Sequence, residues 1–201
     1  MNVRLKHDFP FTAGIYHGGN FYMNNYTLRV LMATVSENPD DQTTAFERLK
    51  YFIYTCMEST IFIDAAETEQ CNQYVQAGLH ITTMPGVPVD QLIGIMLYHK
   101  LNAVMENRMI VTDVEISSVQ GDNMGYLHSH NENLSAGLSL DGWWVDAGPT
   151  WYDVPVTPKR DKVVSLNSRP EWAEHGLAWT DVTDKESNSV VFADFGRDAD
   201  K

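Results

Sequence analysis

A chain of 201 residues with 43% hydrophobic and 20% charged side chains has the composition of a globular domain, with or without an appendage, and not of a disordered polymer. Its formal charge of −13, spread evenly along the sequence, disfavours binding to a nucleic-acid backbone by counterion release and adsorption to an anionic membrane. No apolar run is long enough to span a bilayer, residues 1–10 hold no signal-peptide core, and Cys56 and Cys71 give neither a disulfide framework nor a CxxC pair, so a cytoplasmic protein is expected.

The first expected element is a hairpin, with residues 15–17 and 20–23 flanking Gly18-Gly19, a dipeptide suited to the positive φ angles of a tight turn. Residues 26–35 read as a strand. Leu28, Val30 and Met32 fall on one face and Leu31, Ala33 and Val35 on the other, so the strand is expected to be covered on both sides or central in its sheet. Asn38 then caps a helix over 39–58, with Pro39 at its first position and Asp40 and Asp41 at the positive end of its dipole. Ala45, Phe46, Leu49, Phe52, Ile53, Cys56 and Met57 form its apolar stripe.

A short strand at 60–64, a helix over 66–77 stopped by Gly78, and a strand at 79–84 follow. Pro88 opens a second strong helix whose stripe runs from Val89 through Leu92, Ile93, Met96, Leu97, Leu101 and Val104 to Met105. Residues 108–118 read as a strand, with Asp113 and Glu115 on its solvated face. This order points to an α+β protein: a ferredoxin-like split βαβ sandwich preceded by a hairpin. If the 66–77 helix is instead a full crossover, the sheet is a parallel α/β one. Residues 1–118 form the α/β sandwich domain. Residues 119–201, which carry all five tryptophans, form a β- and loop-rich extension packed on it or on a neighbouring subunit.

Chemistry is sparse. His128 and His130 bracket Ser129, and on a strand residues two apart point the same way, so both imidazoles could approach one divalent metal. Glu132, Asp122, Asp153, His175 or Asp194 could complete such a site. The same pair also suits a polar surface loop without metal. GxSxG, HExxH, GxxxxGK and GxGxxG are all absent, so neither a serine or zinc hydrolase motif nor a nucleotide-phosphate cradle is present. Trp143, Trp144, Trp151, Tyr152, Trp172 and Trp179 are too apolar to leave in water; they either cover their own chain or anchor an interface.

The stretches ENPDDQTTAFERLKYFIYTCMESTIFID, MPGVPVDQLIGIMLYHKLNAVMENRMIVTDVEISS, GDNMGYLHS and DGWW, over roughly residues 26–145, resemble conserved uncharacterised proteins of tailed bacteriophages, marine ones especially. The resemblance implies a viral product acting in the bacterial cytosol or the virion, and it carries no site residues. The expectation is a non-catalytic binding or assembly protein, without cofactor. It forms a homo-oligomer, uses the tryptophan-rich extension as its interface, and meets a protein partner of host or virion rather than nucleic acid or membrane. The alternatives are a metal-dependent hydrolase using His128 and His130, and a nucleotide-sequestering protein using Lys159, Arg160, Lys162 and Arg169 beside the aromatics.

Overall fold

The computed structural model describes residues 4–129, 142–151 and 170–180. In chain order the elements are β1 (Arg4–His17), β2 (Asn20–Thr34), α1 (Pro39–Tyr51), β3 (Ile61–Asp64), α2 (Thr68–Gln76), β4 (Ile81–Met84), α3 (Asp90–Met105), β5 (Met109–Ser118) and β6 (Tyr126–Ser129). A π-helical turn, Phe52–Met57, continues α1, and single 3₁₀ turns occur at Trp143–Val145 and Trp172–His175. The fold is α+β, around a six-stranded sheet of order β4-β3-β1-β2-β5-β6.

The opening hairpin is longer than the sequence suggests. β1 and β2 pair antiparallel from Arg4↔Ala33 to His17↔Asn20, so the second hairpin arm and the strand expected at 26–35 are one element. Gly18 and Gly19, at φ 58° and 79°, make the turn. The first half of β1 escapes sequence reading because Arg4–Asp8 are exposed and Pro10 interrupts the pattern. Pro10 is tolerated because β1 meets β3 only at Gly14–Tyr16, leaving that side of Pro10 without a ladder partner.

Asn38 caps α1 as expected, its side chain accepting from the Asp40 N–H at 3.0 Å. β3 pairs parallel with both β1 and β4, so α2 is a true crossover between neighbouring parallel strands, set within a mixed sheet. The pleat sends alternate residues of β3 to opposite faces. Phe62 joins the main core with α1 and α3, while Ile61 and Ile63 join Ile81, Tyr16, Cys71 and Tyr74 under α2. Beyond α2, the face carrying Thr12, Thr27, Arg29, Glu115 and Ser129 bears none of the described helices. There Arg29 bridges Asp8 and Glu115, at 2.9 and 3.0 Å, and Ser129 Oγ donates to Asp113 at 2.5 Å.

The described parts of the extension pack along α1 and α3 of their own chain. Trp143, Trp144, Trp172 and Trp179 are all buried and belong to the main core; burying a large apolar side chain is worth about 1.5–3 kcal/mol. Two buried cations fasten these segments. Lys100, 0% exposed, donates to the carbonyls of Asp146 and Gly148 at 2.7 and 2.8 Å. Arg48, 2% exposed, donates to the Leu177 carbonyl at 2.8 Å.

Candidate binding cleft

Where β2 begins and β5 ends, the first turn of α3 closes against the sheet and leaves a cleft of about 390 Å³. Its lining is partly polar, with Asn24, Asp90, Gln91, Ser118, Gln120 and Tyr126, and partly aliphatic, with Ile15, Pro88 and Val89. Pro88 ends the chain's approach, and Val89 serves as N-cap without a side-chain bond, so Asp90 is the first residue of α3. Its carboxylate does not cap the helix. Ser118 Oγ donates to Asp90 Oδ2 at 2.5 Å and accepts from the Gly121 N–H at 3.1 Å.

The loop after β5 is held tightly. Asn24 Oδ1 accepts from the Gln120 N–H at 3.1 Å, and Gln120 Nε2 donates to the Met23 carbonyl at 2.6 Å. Asp122 and Asn123 adopt left-handed φ values of 53° and 56°, a conformation that Asp and Asn tolerate better than most residues. Behind Asn24 lies Tyr26, 2% exposed, whose hydroxyl makes no hydrogen bond of ordinary length. Burial, and then the charge of Asp90, hold its pKa above that of a free phenol, with Asn24 acting in the opposite direction. Of the cleft's own lining, Val89 is the exposed apolar residue, at 47%; Val119 lines a separate cleft.

Ser118 is placed beside a carboxylate but not activated by it. A carboxylate is too weak a base to remove a hydroxyl proton at neutral pH, and among the described residues no histidine lines the cleft to relay one. The arrangement can bind and orient a ligand through charge, amide groups and aliphatic side chains. On the helix-free side, a second cleft of about 300 Å³ includes Thr12, Asn25 and Glu58. Its polar groups bond one another: the Thr12 N–H donates to Glu58 Oε2 and Thr12 Oγ1 to Asn25 Oδ1.

The residues singled out in sequence lie elsewhere. His128 is on β6 with 8% exposure, its ring pressed onto α3; a Cβ added at Gly94 would sit 2.9 Å from its Nε2. His130 lies outside the described residues, as do Glu132, Asp153, Asp194, Tyr152, Lys159, Arg160, Lys162 and Arg169. His175 stacks on Tyr51 of α1, with 3.2 Å from Nε2 to the phenol oxygen. Among the described residues no group of three His, Cys, Asp or Glu side chains converges as metal ligands would. The expected tryptophan interface is occupied from within: Trp143 Nε1 donates to the Thr83 carbonyl at 2.8 Å and Trp172 Nε1 to the Ala147 carbonyl at 2.6 Å. Trp151, half-buried, meets the His80 ring edge-on at 4.3 Å.

Sequence reading missed Arg48 and Lys100, although the pattern marks both. Lys100 falls four residues after Met96 and three after Leu97, and Arg48 three after Ala45, each inside an apolar stripe. Comparison with known proteins adds little. No family model matches the chain and no curated protein does. Among solved structures, the chain is similar to the uncharacterized protein WS1659 from Wolinella succinogenes, at 10% identity and a TM-score of 0.48, over 65% of this chain and 99% of that one.

Proposed function

We propose that this is a non-catalytic binding protein that takes a segment of a polypeptide partner into the cleft between β2, β5 and α3. The observation that supports it most is the joining, in one open cleft, of polar groups from Asn24, Asp90 and Ser118 with the aliphatic side chains of Ile15, Pro88 and Val89. A polar socket with apolar lining suits one anchored side chain of a peptide. The phage-type resemblance puts such a partner among host or virion proteins. The fold supplies no comparable support for the metal-hydrolase reading, since the His128 ring faces α3. Binding of the full chain to an array of short random peptides tests the proposal. A reproducible subset is expected to bind, and to be lost when the exposed Val89 of the cleft lining is replaced by tryptophan, whose bulk fills the cleft without changing its charge. Peptide binding that is absent, or indifferent to this change, removes the reading.

A further inference from the structure

The lining of this cleft is electrically one-sided. Among the described residues Asp90 is the single charged side chain that lines it, and no lysine, arginine or histidine does. Asp90 Oδ2 holds the Ser118 hydroxyl, and the carboxylate forms no ion pair among the described residues. Five other carboxylates do pair: Asp8 and Glu115 with Arg29, Glu106 with Arg48, Glu47 with Lys50 and Asp41 with Arg108. The Asp90 charge is near enough to the buried Tyr26 phenol to help hold its pKa up. An anion would meet Asp90 and, beyond it, a molecule of formal charge −13.

Resting on the binding reading above, we infer that the cleft is a socket for a basic side chain, lysine or arginine, presented by the partner polypeptide. The lining holds groups for both parts of such a side chain. Its methylene stem lies along Ile15, Pro88 and Val89, and its head, which carries only donors, reaches Asp90 and the side-chain carbonyls of Gln91 and Gln120. A volume of about 390 Å³ is at the small end of ligand sites, enough for one long side chain. A negative, water-accessible socket on a negative molecule also speeds encounter with basic partners and makes it salt-sensitive.

The test uses the full chain and capped tripeptides with lysine, arginine or norleucine at the centre, followed by amide chemical shifts. Lysine and arginine peptides are expected to shift the Gln120 and Gly121 amides saturably, and norleucine not to. D90N is expected to weaken binding about fivefold, the size of a partly exposed ion pair of about 1 kcal/mol. Raising the salt on the unaltered protein is expected to weaken it too, an arm that needs no variant to fold. Norleucine binding as well as lysine, salt indifference, or shifts remote from the cleft would overturn the inference. If array peptides then still depend on Val89, the cleft binds polypeptide without a basic anchor, and only the present inference falls.

Discussion

Arg48 of α1 is clamped between two indoles of the extension: its guanidinium carbon lies 3.8 Å from the Trp179 ring centroid and 4.9 Å from that of Trp172. The same guanidinium donates to the carbonyls of Leu177 and Val104 and to Glu106 Oε1, the last at 2.7 Å. Burial disfavours its charged form and Glu106 favours it, but an arginine does not lose its proton in a protein. Its planar fork is therefore a fixed cation that joins three parts of the chain.

Arg48→Met removes the stacking and leaves two buried carbonyls short of a donor, and it is expected to destabilise the protein by about 2–4 kcal/mol. Arg48→Lys keeps the charge but loses the fork, and a loss of about 1–2 kcal/mol is expected. Glu106 is 41% exposed at its side chain, so Glu106→Gln is expected to cost under about 1 kcal/mol. Urea unfolding followed by tryptophan fluorescence measures all three. The methionine variant is also expected to show red-shifted native emission, and equal stability for all three would refute the clamp.

Lys100 does the same work one helix away. It sits over the Phe52 ring at 5.3 Å while donating to Asp146 and Gly148. Lys100→Met matches its length and apolar stem but supplies no donor, and a loss of about 2–4 kcal/mol is expected. The effect is expected to be less than additive with that of Arg48→Met, because Trp172, which covers Arg48, donates to the Ala147 carbonyl between the two carbonyls that Lys100 holds. A thermal melt of the single and double variants decides this; full additivity would mean that the two segments dock independently.

Much of the fold is written locally, and its missing parts have identifiable physical causes. Both long helices announce themselves through Asn38-Pro39, Pro88 and unbroken apolar stripes, and the sheet follows from β-branched runs such as 109–116. What does not show is any decision made by distant contacts. Whether α2 is an insert or a crossover depends on β3 and β4 lying parallel, which neither strand encodes alone. The tryptophans signal burial but not whose surface covers them; the answer lies in Arg48 and Lys100, two cations inside apolar stripes. The cleft is the least legible feature. Asn24, Asp90 and Ser118 come from three separate elements, and no spacing in sequence relates them. His128 attracted notice through its spacing from His130, yet its ring is a packing group between β6 and α3.

Cys56 gives a prediction that depends on pH. The thiol is wholly buried beside the Pro149 carbonyl, 3.5 Å from Sγ, and burial pushes its pKa up to about 12, against a weak opposing pull from Lys100. A pKa raised in the folded state stabilises below the unfolded value, near 9 for this thiol, and that contribution fades as the pH rises towards 12. Over that window the unaltered protein is expected to lose stability relative to Cys56→Ala at up to about 1.4 kcal/mol per pH unit. Paired urea titrations from about pH 8 to about pH 11 give the slope. At neutral pH a thiol reagent is expected to modify half-buried Cys71 in the native state and Cys56 only on unfolding; parallel stability curves and prompt labelling of Cys56 would both contradict this.

Gly94 and His128 offer a test of the packing between α3 and the sheet edge. Glycine inside a helix ordinarily costs about 1 kcal/mol relative to alanine, so Gly94→Ala would stabilise an exposed helix. Here the added methyl would lie 2.7 Å from Ile116 Cγ2 and 2.9 Å from His128 Nε2, closer than carbon contacts allow. Ile116 is fully buried and has nowhere to go, so overpacking outweighs the helical gain and a net loss of about 1–3 kcal/mol is expected. Adding His128→Ala to Gly94→Ala clears one of the two clashes and is expected to restore part of that loss, a positive coupling in a double-mutant cycle. Calorimetric melting of the four proteins measures it. A stabilising Gly94→Ala, or losses that simply add, would show that β6 does not hold its histidine against α3.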